Sequence, residues 1–215
     1  MCSHYEAPAV HLLQKHFGVG EVEPYSADIW PGYTGAFIRL AADADPHDEA
    51  APALEALPGT FGLLPHWVKD EKLARRTYNA RSETVDSKPS FRAAWKDAKH
   101  CIIPAAGIYE PDWRSGKAVA TRITRKDGEL LSIAGLWECW RAPDGKIVHS
   151  YTMLTINADD HPFMQNYHKP TSEKRMVVIL PNAQVNDWLS ASASESVAFL
   201  NQYPADRLMA EGGKP

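Results

Sequence analysis

From residue 101 to residue 157 the chain is dominated by β-forming segments, and this run limits the possible folds more than any other feature. "CIIPAAGIY" (101–109), "AVATRIT" (118–124), "ELLSIAGLWECW" (129–140) and "IVHSYTMLTIN" (147–157) are rich in β-branched and aromatic residues, which suit a half-buried pleated surface. Two of the gaps carry Asp-Gly, at Asp127-Gly128 and Asp144-Gly145. Such pairs accept the positive φ angles of tight hairpin turns, so the run reads as an antiparallel meander. "YTGAFIRL" (33–40) and "KRMVVILP" (174–181) add strands. Short helices are expected over 8–17, with Pro8 in the first turn and Gly18 as the stop, and over 88–98. Another is expected near 159–166, and a last one runs from an Asn182 cap through Trp188. The Ala-, Asp- and Pro-rich stretch 41–60 reads as an exposed excursion. The expectation is an α+β fold: a single domain over residues 1–215, its meander curled into a barrel-like sheet with peripheral short helices.

Composition narrows the function classes. The longest apolar runs are far too short to span a bilayer, and the polar opening residues do not form a secretory signal. Three cysteines (Cys2, Cys101, Cys139) without CxxC spacing argue against a disulfide framework or a zinc knuckle, and for a reducing, cytoplasmic setting. No metal-ligand cluster is visible, since His11 and His16 are five apart and fall on different helix faces, so neither metal nor other cofactor is expected. The net charge of −4 does not advertise a nucleic-acid binder, yet residues 66–100 hold nine Lys/Arg against five acids. A basic face of this kind can bind a phosphate backbone, but on composition alone a solvated helix surface is the favoured account of the local excess.

Position two raises a chemical question. If the initiator methionine is trimmed, Cys2 carries a free α-amine and a thiol on adjacent carbons, a pair no internal cysteine has. Three further polar stretches, "YNARSETV" (78–85), "GIYEPDW" (107–113) and "NYHKP" (166–170), stand where a strand or turn would display them, and each singled-out residue has a plain structural reading. Asn79 could bond the local backbone of a turn. Arg81 and Glu83 could form a surface ion pair worth little. Glu110 could be strand-end polarity, His168 one of nine histidines, and Trp67 a core residue.

Taken together and in order, these stretches resemble the SOS-response-associated peptidase (SRAP) family, the proteins that shield abasic sites in single-stranded DNA. "MC" matches the family's second-position cysteine, "FGLLPHW" (61–67) its Trp-Gly-Leu-Ile-Pro-x-Trp turn, and "NARSE" (79–83) its Asn-Ala-Arg-x-Glu. "CIIPAAGIYE" (101–110) resembles the strand ending in the active glutamate, and "AGLWE" (134–138) the strand that follows. "LTINA" (154–158) precedes the family's histidine, which aligns with His168, and "RMVVIL" (175–180) is similar to the closing strand. The chain departs from the pattern at Ser3 and His4, where Gly-Arg is usual, and at Phe61, where Trp is usual. Pro111 and Asp112 intervene after the glutamate, and "HKPTSEKRM" lengthens the histidine stretch.

The resemblance implies an abasic-site DNA–protein crosslinking enzyme. The amine of Cys2 would attack the sugar aldehyde, and its thiol would close a five-membered thiazolidine. Asn79 would position Cys2, Glu110 would move protons, and His168 would serve as a second shuttle. Arg81, Trp67, His4 and Glu83 would face the DNA, Arg81 holding a phosphate and Trp67 stacking on a base. The implied partner is single-stranded DNA containing abasic sites, bound by a monomer without membrane or metal. Lyase or peptidase turnover stays open. Two alternatives use the same residues: an N-terminal-cysteine peptidase or amidohydrolase, and a non-catalytic single-stranded nucleic-acid-binding module.

Overall fold

The computed structural model describes residues 2–41 and 54–212. Its early strands are β1 (Tyr5–Glu6), β2 (Asp28–Ile29), β3 (Thr34–Leu40), β4 (Leu54–Phe61) and β5 (Asn79–Arg81). The central ones are β6 (His100–Ala105), β7 (Gly107–Asp112), β8 (Val119–Arg125), β9 (Leu131–Arg141) and β10 (Ile147–Asn157). The last are β11 (Arg175–Val177), β12 (Ile179–Leu180) and β13 (Leu208–Glu211). Strands β10, β4, β3, β6 and β9 follow one another around a path that the β9–β10 pairing closes into a barrel. A second sheet, in the order β13-β8-β7-β1-β2, lies beside it. With the short helices α1 (Val10–Phe17), α2 (Arg92–Lys96) and α3 (Val185–Ser190) among the described residues, the architecture is α+β and built on a barrel. No described helix is long and apolar enough to cross a membrane.

The two Asp-Gly turns behave differently. Asp144-Gly145 joins a true hairpin, with β9 and β10 paired from Ile147↔Arg141 to Met153↔Gly135. Asp127-Gly128 also turns, at a Gly128 φ of 76°, but the strands on either side part company. β8 pairs with β7 and β13 in the second sheet, whereas β9 enters the barrel beside β6. The run "CIIPAAGIY" splits in the same way at Ala106, its first half in the barrel and its second in the other sheet. The meander is therefore two interleaved sheets. A turn signal specifies the bend; pairing is decided by which apolar face each strand buries.

Other expectations also change. The described end of the anticipated excursion is strand: Leu54–Phe61 pairs with β3 from Thr34↔Thr60 to Leu40↔Leu54, while residues 42–53 lie outside the described residues. Pro58 and Gly59 disguise it, and Gly59 is needed because a Cβ there would meet the Phe37 ring at 2.9 Å. Helix α1 starts after Pro8, and the segment near 159–166 reduces to a 3₁₀ turn over Met164–Asn166. Asn182 makes no cap bond; its side-chain oxygen instead accepts from Arg125 at 2.6 Å.

Two features of the barrel position the site. β4 and β5 both run parallel to β10, so the chain leaves that edge after Phe61 and returns to it at Asn79. It leaves through Gly62, at φ 125°, where a Cβ would lie 2.0 Å from the Ala74 carbonyl oxygen; only glycine fits. Inside, the hydroxyls of Tyr5 and Tyr151 meet at 2.5 Å over Gly35, among Phe37, Phe61 and Ile29. That contact ties β1, and hence the residues just before it, to the barrel wall.

Candidate active site

Cys2 lies three residues ahead of Tyr5, and the backbone beyond it is held by neighbouring strands. β1 pairs with β2 and β7, and the amide of Tyr109 donates to the His4 carbonyl at 3.0 Å. Cys2 itself is buried, and its carbonyl accepts from Asn79 Nδ2 at 2.6 Å. Asn79 reaches it because β5 is locked in register with β10, Asn79 opposite Met153. The thiol donates weakly to the His4 carbonyl at 3.4 Å. Burial, with the nearby Glu110 carboxylate, pushes the thiol far above its ordinary pKa. It rests as a neutral thiol.

Glu110 sits on β7 at 2% exposure, and burial lifts its pKa to about 7. Its Oε2 is 3.4 Å from His168 Nδ1, within ion-pair distance but not aligned as a hydrogen bond. His168 is held from behind, its Nε2 lying 3.0 Å from the Arg175 carbonyl. A carbonyl only accepts, so Nε2 carries the proton and the Nδ1 lone pair faces Glu110. Burial drives His168 down to about 4, so the ring is neutral at pH 7. Its backbone is unusual too: φ is 63°, and its amide donates to the Pro111 carbonyl at 2.8 Å beside the Asp112↔Tyr167 bridge. A carboxyl that burial keeps partly protonated near neutrality thus faces a neutral imidazole nitrogen.

Two buried acceptors here have no hydrogen-bond partner among the described residues, Glu110 Oε2 and Asn79 Oδ1. Such groups are costly and seldom left idle in a native protein.

The rim of the site is crowded with charge. Arg81 and Glu83 do not pair with each other, contrary to the structural alternative read from sequence. Arg81 meets Glu173 at 3.0 Å, whereas Glu83 grips Arg175 through both oxygens, at 2.7 and 3.0 Å. Register explains it: Arg81 and Glu83 sit at and just past the end of β5, and β11 supplies a buried arginine on the far side of β10. Arg175 also reaches Glu173 at 2.7 Å and the Thr155 carbonyl at 2.7 Å. Its guanidinium, hydrogen-bonded to both, pulls Glu83 and Glu173 below the usual carboxylate pKa. Sequence reading did not single out Arg175, although a cation opening the apolar run "RMVVIL" was a usable signal. Trp67 is 49% exposed and so is not a core residue. His4 is stacked between Trp30 and Tyr109. The described residues contain no group of three or more metal-ligating side chains.

The barrel and its accessory sheet have close parallels. The chain belongs to the SOS response associated peptidase (SRAP) family, whose model matches residues 1–211. It is similar to the abasic site processing protein YoqW of Bacillus subtilis, 35% identical over 154 residues that cover 70% of this chain and 65% of that one. It is also similar to the abasic site processing protein HMCES of Rattus norvegicus, 28% identical over 206 residues, covering 80% and 54% respectively. The chain thus spans less than two thirds of the length of either relative. An X-ray structure of a Bordetella bronchiseptica protein superposes with a TM-score of 0.89 at 49% identity, over the whole of both chains.

Proposed function

We propose that this protein captures abasic sites in single-stranded DNA by forming a thiazolidine with Cys2. The observation that carries the reading is the pinning of Cys2 by Asn79 directly beside the Glu110–His168 pair. The names of the relatives, which process abasic sites, point the same way.

The chemistry follows from the groups present. Glu110 takes the proton of the sugar's 1-hydroxyl and returns one to the ring oxygen, opening the hemiacetal to an aldehyde. Trimmed of Met1, Cys2 presents an α-amine with a pKa of roughly 8, far more often unprotonated at neutral pH than a lysine. The orphan oxygens of Asn79 and Glu110 are suited to accept its N–H groups. The amine adds to the aldehyde carbon, and Glu110 protonates the departing hydroxyl, giving an imine and one water. The thiol then adds to the imine carbon; its proton passes to the nitrogen and a C–S bond closes the ring. A thiol held neutral suits this second role, and weighs against the thiolate nucleophile of a cysteine peptidase. An exposed Trp67 and the Arg81 guanidinium at the rim suit a strand whose bases are unpaired.

The test is intact mass spectrometry under denaturing conditions, after mixing with an abasic single-stranded oligonucleotide. The expected product is one protein plus one oligonucleotide, less one water. A reversible binder or an amide hydrolase leaves no such species.

A further inference from the structure

The His4 ring is the middle layer of a column. Trp30 lies on one face, with ring centres 4.0 Å apart and planes 13° apart, and Tyr109 on the other, at 4.2 Å and 11°. Asp28 fixes the imidazole in its plane, its carboxylate 2.5 Å from Nε2. The inner layers belong to the residues that frame the chemistry: His4 is two from Cys2, and Tyr109 precedes Glu110 on β7. Its outer layer, Trp30, is 41% exposed, with Tyr33 at 53% in the same turn.

Beside that turn stands a cation. Arg75 Cγ lies 3.8 Å from where a Cβ of Gly32 would be, and Gly32 is two residues from Trp30. Arg75 is exposed and has no ion pair among the described residues. Two residues of chain span at most about 7 Å, comparable to the reach from a base to its own phosphate.

We infer that Trp30 is a stacking platform for a nucleobase adjoining the captured abasic residue, with Arg75 holding a phosphate of the same strand. The inference rests on the single-stranded DNA reading above and adds a subsite to it. A flat ring already immobilised by a parallel stack loses little freedom when a fourth layer arrives. Stacking accepts any base, as capture of damage in arbitrary sequence requires. Because His4 is clamped between rings and paired with Asp28, its part is to brace Trp30 rather than to reach for a phosphate.

Two measurements on the full chain test this. The first uses an undamaged homothymidine oligonucleotide and fluorescence anisotropy at several salt concentrations. Trp30→Ala is expected to weaken binding about tenfold, and Trp30→Phe to retain most of the affinity. Arg75→Gln is expected to flatten the salt dependence by about one phosphate. The second uses the wild-type chain with 5-iodouracil in the oligonucleotide; photocrosslinks are expected on the peptide containing Trp30. Wild-type binding with Trp30→Ala unchanged, or crosslinks confined to other peptides, overturns the platform and leaves the capture reading standing. A wild-type chain that holds no single strand overturns both.

Discussion

The interior of the site and its rim treat the same functional group in opposite ways. Glu110 is buried beside a neutral histidine, and its pKa rises to about 7. Glu83, four residues along the chain from Asn79, is clasped by Arg175 and held below the usual carboxylate range. At the rim the carboxylates of Glu83 and Glu173 are paired with arginines and Arg175 leaves its Nε without a partner, whereas the interior keeps two acceptors, Glu110 Oε2 and Asn79 Oδ1, unpartnered. The rim is thus held by ion pairs between charged groups, and the interior is left short of donors. The two are joined through one residue: the Arg175 side chain closes the rim, and its carbonyl orients His168.

The largest expected effect sharpens that contrast at the nucleophile. A residue left ahead of Cys2 turns the amine into an amide, whose delocalised nitrogen cannot attack an aldehyde. Stable adduct should vanish in denaturing mass spectra while single-strand binding persists; a heat-stable adduct on the blocked chain would falsify the N-terminal mechanism. Next, Glu110→Gln should slow adduct formation on the order of a hundredfold, followed on denaturing gels. In the wild type the rate should be bell-shaped in pH, rising as the amine deprotonates and falling as Glu110 ionises through about 7. The variant should lose the falling limb.

The same substitution has a stability signature. A carboxyl raised to about 7 in the fold favours the protonated form, so wild-type stability is full below its unfolded pKa and falls as pH climbs through 7. His168, lowered to about 4, contributes the reverse slope between that value and its unfolded one. Denaturant titrations should therefore find Glu110→Gln gaining on the wild type from pH 5 to pH 8; parallel curves would mean Glu110 is not buried as described.

At the rim, Arg175→Ala should cost about 3 kcal/mol in chemical denaturation, at the low end for a broken buried pair because its glutamates reach solvent. The smallest effects would break the ion-paired rim from outside. Glu173 occupies Arg81 at 3.0 Å, where a phosphate would otherwise sit. Glu173→Gln should tighten single-strand binding by up to about fivefold, the worth of an exposed ion pair. Arg81→Ala should weaken it and lower the salt slope by about one phosphate. If both variants bind like the wild type, Arg81 belongs wholly to the scaffold.

Much of this was legible in the sequence. β-branched runs announced the strands, and Cys2, Asn79, Glu110 and His168 stood out once their motifs were taken in order. What stayed hidden depends on partners far away in the chain. Asp127-Gly128 gave the bend but not the two sheets on either side of it. Pro58 and Gly59 masked a strand whose partner, β3, holds the Phe37 ring that demands the glycine. Arg81 and Glu83 suggested each other because they are close in sequence, yet strand register hands each to the loop and strand around Arg175. The position of His4 could be named, but not its place between Trp30 and Tyr109, which only the pairing of β1 with β2 and β7 creates.

The tethering of β1 has a consequence for the order of folding. Cys2 and Asn79 are 77 residues apart, and the Tyr5–Tyr151 hydroxyl contact spans 146. Chains dominated by such distant pairings fold slowly, in milliseconds to seconds. Until the barrel shuts, a trimmed Cys2 is an ordinary amine and thiol, open to any small aldehyde in its surroundings. On the proposed mechanism, selectivity arrives only with closure, when Asn79 and Glu110 come to flank it. Competence for capture should thus appear in the slowest refolding phase rather than the first.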